Sequence, residues 1–399
     1  MKDTQQLLAA RMHNLGTESA FEVLARANAM EAQGKEVVHL EIGQPDFTTP
    51  DNIIEAACKA MKNGCTGYTT AQGIPQLRQV IADYYKAERN VDTCPEEVVV
   101  VPGGKPIMFY TMLSLVQPGD EVMYPNPGFP IYESCIRFAG GTPVPMPLLQ
   151  ENGFKIDIKK MEEQISEKTK LIIINSPGNP TGGVLDKEDV EAIAAVVRKT
   201  NAMVMSDEIY DRLIFTEQKP FSIASIPDMK DRTIILNGFS KTYAMTGWRL
   251  GYGIMNKEMA AKVTLLMVNS NSCAANFTQV AAVEAITGPQ DSVETMRLAY
   301  KERLEYLSSA LNEIDGIECL MPGGSFYAFP SIEGLGMDDN EFAERLLSEG
   351  GVAALAGTAF GEYGKGHIRL SAANSMENLK RAVELIKIFV EKIKAEKGE

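Results

Sequence analysis

The chain has 399 residues, 45% hydrophobic and 23% charged. That is an ordinary globular composition, and the length exceeds the size at which one core usually stops growing, so two domains are expected. A net charge of −14 and a pI near 4.9 disfavour a nucleic-acid or anionic-membrane surface while leaving room for a local basic pocket. The six cysteines include no Cys-x-x-Cys pair, and His13, His39 and His367 have no ligand spacing, which disfavours a disulfide framework and a metal site.

At the start, Met1–Gln6 has no apolar signal-peptide core, and no apolar run approaches membrane-span length, so a cytoplasmic protein is expected. Apolar residues at helical spacing predict an amphipathic helix over Ser19–Gln33. A strand over Val37–Ile42 precedes a breaker-rich turn, Gly43-Gln44-Pro45-Asp46-Phe47. Ile53–Lys62 and Gln76–Ala87 predict helices around a loop over Gly67–Pro75. From Val98 the texture becomes alternating. Strands are predicted at Val98–Val101, Glu121–Tyr124, Pro143–Pro147, Leu171–Ile174, Met203–Met205, Thr233–Leu236 and Leu250–Ile254, with helices over Ile107–Val116 and Asp189–Lys199. Continuous apolar strands separated by helices argue for a mostly parallel sheet covered on both faces, an α/β fold. After Gly288 come a long charged helix (Ser292–Glu313), a loop leading into a strand at Gly323–Phe329, a helix (Asn340–Glu349), a strand (His367–Ser371) and a closing helix (Met376–Lys394). The expected division is residues 1–44 joining a small domain, 45–288 as the large domain, and 289–399 as the small α/β domain.

In an open α/β sheet, ligands gather at the C-terminal strand ends. Four unusual turns are predicted there. Gly103-Gly104-Lys105 before a helix offers free amides at a positive helix end, either an anion site or simply a tight turn. Asp207 ends a strand, where its carboxylate can pair with a ring nitrogen or cap a helix; Tyr210 lies three residues on. Asn179-Pro180 can supply a hydrogen-bonding amide or only a turn. Ser240-Lys241 follows a buried strand, and burial lowers a lysine's pKa and makes it a nucleophile toward carbonyls. Arg249, eight residues later, suits a phosphate. Phe129 can stack on an aromatic ring or belong to the core.

Taken with Gly43-Gln44-Pro45-Asp46, Tyr68, Asn175-Ser176-Pro177-Gly178-Asn179-Pro180-Thr181-Gly182, Ser206–Tyr210, Trp248–Tyr252, Gly323–Tyr327 and Ile368-Arg369-Leu370-Ser371, these pieces resemble the class I/II aminotransferases of fold type I from nearly end to end. The resemblance implies pyridoxal 5′-phosphate as cofactor. It makes 45–288 the cofactor-binding domain. Lys241 is then the residue that holds the cofactor covalently and shuttles the substrate proton. Asp207 pairs with the ring nitrogen, Asn179 and Tyr210 bind the ring hydroxyl oxygen, and Phe129 stacks on the ring. Gly103, Gly104, Lys105 (the last two through backbone N–H), Ser240 and Arg249 bind the phosphate, completed by Tyr68 from the second subunit of a homodimer. Arg369 clamps the substrate α-carboxylate with help from Gly43 and Asn179. Many members carry a serine where this chain has Gly238.

The implied reaction moves the α-amino group of an amino acid to a 2-oxo acid such as 2-oxoglutarate, with ping-pong kinetics. The Gly-Gly-Lys wording is closest to the aspartate branch, in which Lys105 matches the lysine implicated in reading a distal carboxylate. An alanine, aromatic or broad-range enzyme remains an alternative, as do a C–S β-lyase and a cyclopropane-forming synthase on the same scaffold. A DNA-binding regulator is disfavoured, because the motifs begin by Gly43 and the chain is acidic.

Overall fold

The computed structural model describes residues 7–217 and 220–398, so Met1–Gln6, Gln218, Lys219 and Glu399 lie outside the described residues. The elements in the first half are α1 (Ser19–Glu31), β1 (Val38–His39), α2 (Asp51–Lys62), α3 (Pro75–Arg89), β2 (Val98–Val101), α4 (Lys105–Leu115), β3 (Glu121–Asn126), α5 (Ile131–Ala139), β4 (Thr142–Pro147), α6 (Ile158–Gln164), β5 (Thr169–Asn175) and α7 (Lys187–Val197). There follow β6 (Met203–Asp207), β7 (Thr233–Gly238), β8 (Gly251–Ile254), α8 (Lys257–Ser270), α9 (Asn276–Thr287), α10 (Asp291–Leu311), β9 (Tyr327–Ala328), α11 (Asp339–Gly350), β10 (Val352–Ala353), β11 (Leu355–Ala356), β12 (Ile368–Ser371) and α12 (Met376–Lys397).

Seven strands form one sheet in the order β2-β8-β7-β6-β5-β3-β4. Only β8 runs against the rest, pairing antiparallel with both β2 and β7. Strand alternation divides the valine run between two cores. Val98 and Val100 pack with residues of α2, α3 and α9, whereas Val99 and Val101 face residues of α4, α5 and α8. The sheet is therefore buried on both faces, which is why its strands read as unbroken apolar runs.

The edge strand β4 carries Pro143, Pro145 and Pro147. Thr142 and Leu148 donate their amides toward β3, so the alternating prolines remove the N–H groups that would face outward. That edge cannot template a further strand.

The C-terminal part builds a second, antiparallel sheet, β11-β12-β9, packed on α10, α11 and α12 around Leu304, Phe342, Leu346, Leu379 and Ile386. The N-terminal β1 pairs in parallel with β10. It is shorter than the predicted Val37–Ile42 because the chain turns from β10 toward β12 at Leu40: Leu40 N still donates to Ala353 O, but Leu40 O accepts from Ser371 N and Glu41 O accepts from Arg369. Helices α5, α6, α8 and α9 have no counterpart among the predicted elements. Among the described residues no helix is long and apolar enough to cross a membrane, and no side-chain cluster forms a metal site.

Candidate active site

Because β8 runs backwards, its first residue meets the last residues of two forward strands. Gly251 is partnered by both Val101 and Gly238. The turn after β2, the lysine turn after β7 and Arg249 just before β8 therefore converge at one point. The fit leaves no room for a side chain at 251 and little at 238. A Cβ on Gly251 would lie 2.6 Å from Gly104 N, and one on Gly238 would lie 3.1 Å from Gly251 Cα. A side chain at 238, where the resembling family often has serine, would need its neighbours to give by a few tenths of an ångström.

Gly103 adopts φ +84°, and a Cβ there would come within 2.1 Å of the Arg249 guanidinium. The Gly104 and Lys105 amides open α4 and have no carbonyl of their own helix to bond. Arg249 is itself held at φ +54°, an uncommon conformation for a non-glycine residue, and its Nη1 donates to Thr246 O at 2.8 Å. Free helix-end amides, a guanidinium and a space only glycine leaves open make a cradle for a phosphate.

Lys241 lies one residue beyond half-buried Ser240. Its Nζ donates to Gly43 O and stands 5.6 Å from the Phe326 ring and 5.9 Å from the Tyr210 ring. Burial lowers its pKa to about 8, helped by the charges of Arg369, Lys105 and Arg249 and opposed by Glu18. Asp207, on the neighbouring strand, is buried. Burial raises its pKa to about 6, against the Tyr132 hydroxyl, the Ile209 amide and the Lys241 charge. Tyr132 Oη donates to Asp207 Oδ2 at 2.6 Å, and Ile209 N donates to Oδ1 at 3.2 Å. The segment after β6 is a turn, so Asp207 caps no helix and Tyr210 is brought round by the turn instead of by helical spacing. The Tyr210 and Tyr327 hydroxyls are 3.1 Å apart, and burial pushes the Tyr210 phenol well above its ordinary pKa.

Arg369 arrives from β12, in the other sheet, and is only 4% exposed. Its Nη1 donates to Asn179 Oδ1 at 3.2 Å and its Nη2 to Glu41 O, while Nε has no partner. The Asn179 amide N–H is fixed by Asn175 Oδ1 at 3.0 Å. The Arg369 guanidinium lies between two rings, 4.4 Å from Tyr327 and 4.9 Å from Phe360. Its contacts are to a side-chain amide, a backbone carbonyl and two aromatic rings, none of them charged. Burying an arginine without a carboxylate is costly, so the geometry calls for an anionic ligand.

Phe129 is half-buried, edge-on to Tyr132 at 5.7 Å, and has the Lys105 ammonium 5.4 Å from its ring. Lys105 itself is bonded to Glu18, which precedes α1. A cavity of about 230 Å³ opens beside this group, with Gly16, Phe129, Ser134 and Phe360 in its wall. The structure thus brings together Gly43, Gly103, Gly104, Lys105, Asn179, Asp207, Tyr210, Lys241, Arg249 and Arg369, with Phe129 and Ser240 at the margin. Tyr68 is not among them: it is 91% exposed on a loop whose Thr69 N contacts Cys273 Sγ. Tyr132, Tyr327, Phe360 and Glu18 belong to the site and were not singled out from sequence. Tyr327 stood within a quoted motif; Tyr132 sits on the unpredicted α5.

A mostly parallel sheet with a buried lysine, a buried aspartate and a phosphate cradle at one edge, facing an unpaired arginine from a second sheet, defines a fold type I pyridoxal-phosphate enzyme. The chain belongs to the class I and II aminotransferases, whose family model matches residues 35–386. It is 38% identical over 392 residues to the aspartate aminotransferase of Bacillus sp. (strain YM-2), covering 97% of this chain and 100% of that one. Among solved structures it is similar to the Thermus thermophilus aspartate aminotransferase with maleate, at TM-score 0.91 and 36% identity over 95% of this chain and 98% of that. It is also similar to an alanine aminotransferase from Pyrococcus furiosus, at TM-score 0.91 and 34% identity over 96% and 100%. The protein is a transaminase of the aspartate or broad-range type, in a family that uses pyridoxal phosphate.

Proposed function

We propose that this aminotransferase holds an amino acid by its α-carboxylate on Arg369 and passes the Cα proton through Lys241. The observation that carries the reading is Arg369 itself: buried, bonded only to neutral groups, and with an orphaned Nε. A carboxylate accepting from that planar fork would satisfy the charge and the free N–H together. Asn179, already bonded to Nη1, and Gly43, whose carbonyl takes Lys241 Nζ, fix the two ends of this clamp.

The residues fit pyridoxal phosphate. Gly103, Gly104 and Lys105 (through amides), Ser240 and Arg249 would hold the phosphate; Asp207 the ring nitrogen; Asn179 and Tyr210 the ring hydroxyl oxygen; Phe129 one ring face. The cofactor, when bound, supplies an electron-withdrawing ring that eases loss of the Cα proton. Lys241 has the pKa for both halves of the transfer, since an amine titrating near 8 takes a proton from Cα and gives it back close to neutral pH. Tyr132 orients the Asp207 carboxylate through its hydroxyl.

The division into residues 1–44 with 289–399 and 45–288 is supported by the β1–β10 pairing, which ties the N-terminal segment to the C-terminal part. A homodimer with shared sites is supported by exposed Tyr68, close to the end of α8, and by Leu265 and Val268, exposed on that helix. Six free cysteines suit a cytoplasmic location.

Reconstitution tests the reading. Apoprotein given pyridoxal phosphate should develop a visible absorption band that borohydride removes, and Lys241→Ala should never develop it. Arg369→Ala should raise the KM for amino donors about 100-fold while cofactor affinity changes little. Donor KM values that stay put in Arg369→Ala would exclude the clamp.

A further inference from the structure

The site contains two cations suited to carboxylates, and they differ in state. Arg369 is open, as described. Lys105 is occupied, because Glu18 of the same chain bonds its ammonium. We propose that Glu18 is an internal competitor for a substrate's distal carboxylate at Lys105, and that it sets the donor range of this enzyme. The inference rests on Arg369 holding the α-carboxylate.

Several features place Glu18 there for that purpose. It occupies the N-cap position of α1 but makes no capping bond, so its carboxylate is not spent on the helix. Its side chain is 19% exposed and that of Lys105 51%, so the pair stands at the mouth of the site, with the lysine open to water and to an incoming ligand. The charges of both residues reach Lys241, and that of Glu18 also reaches Tyr327, the ring under Arg369. The Lys105 ammonium lies over Phe129, the ring proposed to cover the cofactor. The segment is anchored two residues earlier, where Gly16 N donates to Ser134 Oγ at 2.9 Å, so Glu18 stays close to Lys105 when the bond opens.

The consequence for donors follows from charge. With the pair closed, Glu18 and Lys105 cancel each other's charge beside Phe129, which also walls a cavity shared with Phe360 and the paired Glu133 and Arg137. An uncharged side chain leaves the Glu18–Lys105 pair in place. A dicarboxylic donor must displace Glu18 from Lys105 and leave that carboxylate beside its own, a like-charge contact that lowers its affinity. The enzyme is thereby biased toward monocarboxylic amino acids with uncharged side chains, while Lys105 keeps a weaker capacity for aspartate or glutamate.

The test uses pyridoxal-phosphate-loaded enzyme mixed with aspartate or alanine in the absence of acceptor, following loss of the visible band. Glu18→Gln should raise the aspartate-to-alanine ratio of half-reaction efficiency by about tenfold, through tighter aspartate binding and not a faster maximal rate. In a Lys105→Met background the same substitution should leave the ratio unchanged, because the cation being competed for is gone. A ratio that stays within twofold in Glu18→Gln, falls, or rises equally in the Lys105→Met background overturns the proposal. Failure of the underlying reading looks different: Arg369→Ala would then leave the binding of both donors intact.

Discussion

Asp207 and Lys241 stand at the ends of adjacent strands with opposite charges, and burial pushes each toward its neutral form. For Asp207 the native pKa is about 6 against an ordinary 3.8, so the folded apoprotein keeps a proton that the unfolded chain has lost. Stability therefore falls as pH rises from about 4 to 6, by roughly 3 kcal/mol. Asp207→Asn should lose that slope in calorimetry of the apoprotein, and its Tm at pH 7 should be no lower than wild type, while turnover falls about 100-fold or more. For Lys241 the sign is reversed. The native amine titrates near 8 and the unfolded one near 10.5, so its burial costs stability below pH 8 and that cost fades as pH rises toward 10.5. The free amine is also the nucleophile, so the rate of cofactor capture by apoprotein should rise through pH 8 and level off above it. A rate flat from pH 6 to 10 would show that Lys241 is not limiting. Lys241, Asp207, Asn179 and Arg369 were legible because each sits in a motif with its own chemistry. Tyr132 and Glu18 were not, because what matters about them is a contact across 75 and 87 residues of chain that no local pattern encodes.

At the level of elements, the reversed strand β8 matters most. It ties the phosphate turn to the lysine turn through one glycine with two partners. Gly103→Ala places a methyl group against Arg249 at a backbone conformation that favours glycine. Such a substitution costs about 1 kcal/mol in the backbone alone. It should weaken pyridoxal phosphate binding tenfold or more, measured by titrating apoprotein, with a far smaller effect on apoprotein Tm. The strands of the large sheet were legible from their apolar runs, since two-sided burial leaves no alternation to confuse. The direction of β8 was not, because a short buried strand reads alike in either direction. Helix α5 was hidden behind the proline-rich turn before it. Strand β1 was predicted too long because Leu40 and Ile42 alternate about Glu41 as in a strand, while the backbone turns there from β10 to bond with Ser371 and Arg369 of β12.

For the whole molecule, the site is assembled from separate bodies of structure: cofactor contacts from the seven-stranded sheet, the arginine clamp from the three-stranded sheet, and Glu18 from the N-terminal segment. Tyr68, 91% exposed and without a recorded contact to the site residues of its own chain, adds a second chain in the proposed dimer. Subunit mixing tests this. Tyr68→Ala should bind pyridoxal phosphate about tenfold more weakly, and Lys241→Ala should be inactive. Exchanged with each other, they should regain activity above the sum of the two alone, because one site per hybrid then has both an intact lysine and an intact tyrosine. Strict additivity after demonstrated exchange would exclude sharing.

The wall-and-clamp residues Glu18 and Phe360 lie outside the proposed cofactor cradle and on different segments of the chain. A combinatorial library at these two positions can therefore be screened for new amino donors while the visible band reports, colony by colony, which members still fold and load. Selection for novelty and selection for foldedness become separate axes in the same plate.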